Sequence, residues 1–243
     1  MPNLDLNRIP NHIAIILDGN GRWAQARGKS RIYGHRHGAF NLRDLARYSN
    51  EIGIKYLTVY CFSTENWKRP KDEVDFLMST PVRYFSKYFN DITKSNIRFK
   101  TIGRKDRLPK ALLDSLNKLE KVSKDKTGLT LTFAIDYGGR DEITTAVKKI
   151  ANKVKNGELN PDDINEKLIE DNLFTKDYPP LDLLIRTSGE LRISNYLLWQ
   201  LAYSELYFTN TYFPDFNKYE LEKALIDFQS RNRRYGGLKN DNK

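Results

Sequence analysis

The chain has 243 residues, enough for one large domain or two small ones with a substantial core. Lys plus Arg number 41 against 31 for Asp plus Glu, and the net charge of +10 favours an anionic partner: nucleic acid, an anionic membrane or small phosphates. The lone cysteine, Cys61, excludes a disulfide framework or a cysteine zinc site; with no signal peptide and no apolar run near the ~18 residues of a spanning helix, the expectation is a soluble, cytoplasmic protein, with peripheral membrane contact left open.

In chain order, the apolar run Ile13 to Leu17 predicts a first strand. It runs straight into Asp18-Gly19-Asn20-Gly21-Arg22-Trp23, extended by Arg27, Arg31, Gly34, His35 and Gly38. Glycine lets backbone N–H groups approach an anion, and a following helix N-terminus adds about half a positive charge, which together make a phosphate cradle. Asp18 would repel phosphate there unless a divalent cation stood between them, and carboxylate plus substrate phosphates is how Mg²⁺ is usually held.

Helical spacing covers Gly38 to Ile52, and a second strand, Tyr56 to Phe62, leads into Ser63-Thr64-Glu65-Asn66-Trp67-Lys68-Arg69-Pro70. The helical segment Glu73 to Ile92 carries Phe76, Leu77, Val82, Tyr84, Phe85, Tyr88 and Phe89, more apolar surface than one sheet contact needs. That surplus predicts the wall of an elongated apolar cavity facing a strand at Leu129 to Ile135, with Leu129 its expected floor. Strand Ile97 to Ile102 and helix Pro109 to Val122 precede that strand; helices Asp141 to Val154 and Pro161 to Leu173 follow it. Strand Leu181 to Ile185 then opens onto Arg186-Thr187-Ser188-Gly189-Glu190-Leu191-Arg192-Ile193-Ser194, and a weaker strand near Leu206 and Phe208 and a helix Tyr219 to Arg231 close the chain. This alternation predicts an α/β fold, a single domain over 1–243 with a mostly parallel central sheet flanked by helices, and ligands bound beyond the carboxyl ends of its strands. Arg22, Arg31, Arg69, Arg186 and Arg192 would then converge, and guanidinium groups suit bidentate phosphate recognition.

Other motifs carry less. Gly28-Lys29-Ser30 ends like a P-loop, but Trp23 stands where its first glycine is required. Asp162-Asp163 after Asn160-Pro161 reads as acids in the first turn of a helix. His35 and His37, two apart with no third ligand nearby, do not make a zinc site, and Cys61 within a strand reads as core. Nucleic-acid binding is not expected, because the basic residues are scattered among glycines and acids without a helical stripe or a recognised binding module.

The strings His12-Ile-Ala-Ile-Ile-Leu-Asp-Gly-Asn-Gly-Arg-Trp-Ala24, Gly34-His35-Arg36-His37-Gly38, Phe62-Ser-Thr-Glu-Asn-Trp-Lys-Arg69, Asp136-Tyr-Gly-Gly-Arg140 and Asp182-Leu-Leu-Ile-Arg-Thr-Ser-Gly-Glu-Leu-Arg-Ile-Ser-Asn195 resemble the motifs of the cis-prenyltransferases, the bacterial undecaprenyl diphosphate synthases among them. The resemblance continues through Leu197-Leu198-Trp199-Gln200 and Tyr203-Ser204-Glu205-Leu206 to Arg233-Arg234-Tyr235-Gly236-Gly237, nearly the whole chain in order. It implies a homodimer with a hydrophobic tunnel in each subunit, and repeated cis condensation of isopentenyl diphosphate onto farnesyl diphosphate to give a long polyprenyl diphosphate for cell-wall carrier lipid. By the same resemblance Asp18 is the catalytic, Mg²⁺-linked carboxylate and Glu205 a second metal carboxylate. Gly19, Asn20, Gly21, Arg22, Trp23, Arg31 and His35 surround the allylic diphosphate; Ser63, Thr64, Glu65, Asn66, Trp67 and Arg69 lie between the substrates; Arg186, Arg192, Ile193 and Ser194 bind isopentenyl diphosphate. Arg234-Tyr235-Gly236 would reach the partner's site. Asn66 stands by resemblance as proton acceptor, although an amide is a poor base, and diphosphate or a water held by Asp18 and Ser63 is chemically easier. Asp136 departs from the asparagine frequent in the family.

Overall fold

A computed structural model describes residues 3–231 of the chain. The elements are β1 (His12–Ile16), α1 (Asn20–Gln25), α2 (Arg31–Glu51), β2 (Tyr56–Ser63), α3 (Lys71–Lys87), α4 (Phe89–Lys94), β3 (Arg98–Ile102), α5 (Lys110–Ser123), β4 (Thr130–Tyr137), α6 (Gly139–Lys155), α7 (Glu166–Glu170), β5 (Leu183–Arg186), β6 (Glu205–Phe208) and α8 (Lys218–Ser230). The six strands make one sheet in the order β3-β4-β2-β1-β5-β6, and every pairing is parallel. β1, β4 and β5 are buried along their whole length, which is why they read as unbroken apolar runs.

The two-residue period of the strands divides the core between the two faces of the sheet. Ile13, Ile15, Leu57, Val59, Leu131, Phe133, Leu183 and Ile185 join Leu45 of α2, Met78 of α3, Leu112 and Leu116 of α5 and Leu221 of α8 on one face. Ala14, Ile16, Tyr60, Ala134 and Leu184 meet Tyr137, Tyr196 and Leu197 on the other. Tyr60 and Tyr196 stack there with centroids 4.2 Å apart, and Tyr137 stands edge-on to both.

Three helix boundaries differ from the sequence reading, each for a local reason. α2 begins at Arg31, not Gly38, so Gly34, His35 and Gly38 are helical. Their glycines serve packing against α1: a Cβ at Gly34 would fall 1.9 Å from the Asn20 carbonyl oxygen, and one at Gly38 2.1 Å from Asn20 Oδ1. The segment Glu73 to Ile92 divides at Tyr88 into α3 and α4, with Pro81 inside α3. Pro161 to Leu173 is not one helix, because Asn160 and Asn165 each cap a separate short turn, accepting from the Asp162 and Leu168 N–H groups. Among the described residues no helix is long and apolar enough to cross a membrane. The motif from Arg233 to Gly237 lies outside the described residues.

Candidate active site

β1 and β5 end side by side, Ile16 opposite Arg186, so the loops that follow them share one edge. Thr187 joins the two ends: its hydroxyl accepts the Asp18 N–H at 3.0 Å and lies 2.8 Å from the Asp18 carbonyl. Gly19 follows with φ +95°, and its N–H bonds Asp18 Oδ1 at 2.7 Å; any larger side chain would also collide with Ser188 and Tyr212. The Asp18 carboxylate takes Arg186 Nη2 on one oxygen at 2.9 Å and Arg22 Nη2 on the other at 3.2 Å. Burial pushes its pKa up, but the hydrogen bond and charge of Arg186, with Arg22 and the Gly19 N–H, prevail and hold it below the usual aspartate value. Arg22 continues to Ser188 Oγ at 2.5 Å and Glu190 at 2.7 Å, Arg192 takes the other Glu190 oxygen, and Arg186 also donates to Ser194 Oγ at 2.7 Å and to the Arg192 carbonyl.

A second cluster centres on Glu73, in the first turn of α3. Its carboxylate receives Arg31 at 3.0 and 3.3 Å and Arg69 at 2.9 Å, with His35 Nε2 at 3.6 Å, beyond a hydrogen bond. Burial, with Arg31 and Arg69 beside it, takes the His35 imidazole down to about 4 despite Glu73, so the ring is neutral at physiological pH. Around the mouth, five arginines thus meet three carboxylates, Asp18, Glu73 and Glu190, leaving surplus positive charge for an anion.

The turn after β2 is locked by its own side chains. Ser63 and Asn66 close a capping box, with Asn66 Oδ1 accepting the Ser63 N–H at 3.0 Å. Trp67 Nε1 donates to Asp136 Oδ1 at 2.8 Å, and Arg107 grips the same carboxylate at 2.9 and 2.5 Å. Asp136 is fully buried with φ +49°, and Arg107 and Trp67 are the partners that answer it.

Beneath this crown runs a cavity of about 720 Å³. Asp18, Gly19, Asn20, Gly21, Arg22, Arg31, His35, Ser63, Asn66, Arg69, Arg186, Arg192 and Ser194 line its polar end. Phe76, Leu77, Met78, Tyr84, Phe85 and Tyr88 wall it, and it reaches Ile97, Phe99, Leu112 and Leu131. Phe99 and Leu131 pair near the amino ends of β3 and β4, four residues before Ile135, a drop of roughly 13 Å. Leu129 is buried outside this lining and precedes β4, so the expected floor is corrected to Leu131 and its neighbours. Cys61 lines the cavity where β2 loses register with β4, and burial pushes its thiol up to about 12.

Several expected site residues stand back from the cavity. Trp23 is sandwiched among Arg27, Tyr33 and His37; Trp67 packs on Phe62; Ile193 joins the second core; Glu65 accepts from Asn195 Nδ2 at 2.9 Å; and Thr64 lies against Gly138. Glu205 does not join Asp18: it opens β6 opposite Leu183, roughly 10 Å along the strands from Arg186, and pairs with Arg231 at 2.8 Å. A metal shared by those two carboxylates of one subunit therefore does not fit. Among the described residues no group of three His, Cys, Asp or Glu side chains could hold a metal, so an ion at the crown would depend on Asp18 and on substrate phosphates, an arrangement its ionised carboxylate suits. Glu73 was missed from sequence because it reads as an ordinary first-turn acid; its spacing of four from Arg69 was the available signal.

A family model described as putative undecaprenyl diphosphate synthase, Prenyltransf, matches residues 16–236. The chain is 52% identical to an isoprenyl transferase of Streptococcus mutans, over 97% of this chain and 96% of that one, and 49% identical to an isoprenyl transferase of Clostridium tetani, over 97% and 92%. Among solved structures it is similar to a lavandulyl diphosphate synthase from Lavandula x intermedia in complex with dimethylallyl diphosphate (TM-score 0.92, 41% identity, 95% of this chain and all of that one). It is also similar to a probable undecaprenyl diphosphate synthase from Campylobacter jejuni (TM-score 0.78, 32% identity, 98% of this chain and all of that one).

Proposed function

Because the chain belongs to the undecaprenyl diphosphate synthase family of prenyltransferases, we propose that it adds isopentenyl diphosphate repeatedly to farnesyl diphosphate, in cis, to give a long polyprenyl, undecaprenyl, diphosphate that serves as cell-wall carrier lipid. The observation that supports this most is a single cavity with an arginine crown at one end and more than ten apolar side chains in its depth, the shape of a diphosphate with a growing hydrocarbon tail.

In this reading the allylic diphosphate sits among Arg22, Arg31, Gly19 and Gly21, and isopentenyl diphosphate sits among Arg186, Arg192 and Ser194. When bound, Mg²⁺ held by Asp18 supplies further charge stabilisation at the departing diphosphate. The bond from the allylic carbon to diphosphate oxygen breaks, and a carbon–carbon bond forms to the terminal alkene carbon of isopentenyl diphosphate. Positive charge develops on the tertiary carbon and is discharged by loss of a proton. Arg22 and Arg31 face the oxygens on which negative charge accumulates, where fixed cations lower the barrier most. For the proton, Asp18, Glu73 and Glu190 are all held below their usual pKa, His35 lies near 4, and the Asn66 carbonyl is occupied by the Ser63 N–H. These are weak bases, so the departing diphosphate takes the proton, and Asn66 holds the turn.

A homodimer belongs to the same reading. The edge strand β6, with Tyr203 and Leu206 exposed at its start and Leu191 79% exposed in the neighbouring loop, offers an apolar face for a second subunit. Incubation with labelled isopentenyl diphosphate, farnesyl diphosphate and Mg²⁺, with chromatography of the chain lengths, tests the activity. Absence of elongated product, or a salt-dependent shift of nucleic acid in its place, would overturn it.

A further inference from the structure

α2 and α3 form the outer wall of the cavity, yet they meet through rings and cations. Phe40 of α2 faces Tyr84 and Tyr88 at 6.1 and 6.4 Å, Arg36 lies over Phe76 at 5.8 Å, and Arg43 lies over Phe40 and Tyr88 at 5.7 and 5.9 Å. Arg43, Arg47, Tyr84 and Tyr88 also line the cavity, so this seam is its side wall. The wall is built to yield. Pro81 removes a backbone donor from α3, the helix breaks at Tyr88, and the buried Thr80 and Tyr84 hydroxyls have no hydrogen-bond partner.

The outside of the seam is predominantly positive. Between residues 36 and 47 and between 80 and 87 stand Arg36, Arg43, Arg47, Arg83 and Lys87 against one acid, Asp44, which Arg43 pairs. All of these cations except the half-buried Arg43 are exposed, and Phe40 between them is 41% exposed. Guanidinium and ammonium groups around aromatic rings match an anionic bilayer surface, where the cations meet phosphate headgroups and the rings sit at the interface. Water offers no comparable exit, because each methylene of a long hydrocarbon opposes exposure.

We propose that the α2–α3 seam docks on an anionic phospholipid bilayer and parts there, so that the hydrocarbon leaves the cavity sideways into the acyl region. The proposal rests on the polyprenyl elongation reading. Co-sedimentation with phosphatidylcholine vesicles, with and without 30% phosphatidylglycerol, tests it on the full chain. Binding is expected only to the anionic vesicles and weakens as salt rises. The double variant R83Q/K87Q, outside the cavity lining, loses about tenfold or more in partition coefficient, whereas K148Q/K153Q on α6 is unchanged. In Phe40→Trp, the added fluorescence shifts to the blue with anionic vesicles. First condensation in vesicle-free buffer reports folding of each variant and tests elongation separately. Elongation without anionic-vesicle binding, equal losses in the two double variants, or an unshifted fluorescence signal from Phe40→Trp overturns docking and leaves elongation standing. Absence of elongation removes both.

Discussion

At the crown, the guanidinium groups of Arg22, Arg31, Arg69, Arg186 and Arg192 each meet a carboxylate; along the α2–α3 wall of the same cavity, cations meet rings, a proline sits inside the helix and two buried hydroxyls are unpaired. The contrast follows from what each end must do. Departure of diphosphate is eased by charges fixed before the reaction, since reorienting them during it would add to the barrier. A hydrocarbon that grows in steps needs a wall whose contacts are many and individually weak, so that no single one forbids a new length.

The largest effect belongs at the crown. Asp18→Ala should lower turnover by about 10³ or more, since it removes the carboxylate proposed to hold a substrate-bound metal and frees the buried Arg186. Single-turnover kinetics at saturating Mg²⁺ measure it, and near-normal turnover would mean that the crown is not the reacting centre.

Arg107 tests whether the rigidity of the crown extends outward through Asp136. Arg107→Leu leaves a fully buried carboxylate without its cation and should cost about 3 kcal/mol in denaturant unfolding, and Asp136→Asn in that background should restore most of it. If the second change restores nothing, the pair is not what holds Trp67.

Acid should weaken the fold through two histidines, the buried His12 and the half-buried His35. His12, between Pro179 and Thr58, and His35 both have folded pKa values of about 4 against 6.5, lowered first by burial. The folded state therefore binds fewer protons than the unfolded one between those values. Stability is intact above pH 6.5 and falls as pH drops toward 4, by about 3 kcal/mol for each ring at the limit. Thermal unfolding of His12→Gln from pH 7.5 to 4.5 should show a shallower decline than the native chain; parallel curves would refute the assignment.

Within the crown the two diphosphate sites should separate. Arg186 reaches Asp18 and so touches both halves, but Arg192 pairs with Glu190 alone among carboxylates and is 60% exposed. Arg192→Ala should raise the Michaelis constant for isopentenyl diphosphate about tenfold and that for farnesyl diphosphate far less. Equal rises would merge the sites.

Sequence made the rigid end more legible than the yielding one. The strands were readable because buried parallel strands are continuous apolar runs, and the loops after β1, β2 and β5 were readable because glycine, arginine and acid cluster there. The reach of Arg31 to Glu73 was not, since it depends on how α2 lies against α3, whereas the Arg69–Glu73 pair is a local spacing of four. Nor was the distance between Asp18 and Glu205, because both sit beside strands and only parallel register places them at opposite ends. Arg107 meets Asp136 through β3–β4 pairing, although the two stand 29 positions apart in sequence.

The cavity depth gives the smallest effect on rate and the most specific one on product. Leu129 was the sequence choice for its floor, by the argument that the start of a strand lies farthest from the carboxyl ends. The structure leaves Leu129 outside the lining: Leu131 is the deepest β4 residue that faces the cavity, opposite Phe99, and Phe133 stands between Phe85 and Phe99 at 5.7 and 6.0 Å. A packed interior does not yield by a whole isoprene unit, so the side chain at this level decides how far a tail advances. Leu131→Ala should shift products to longer chains and Leu131→Phe to shorter ones, with the first condensation within about twofold of native because the crown is untouched. The Ala variant should also lose about 3 kcal/mol of stability, the usual cost of a truncated core leucine. Chain lengths resolved by chromatography decide the matter, and an unaltered distribution from both folded variants would place the limit in the α2–α3 wall.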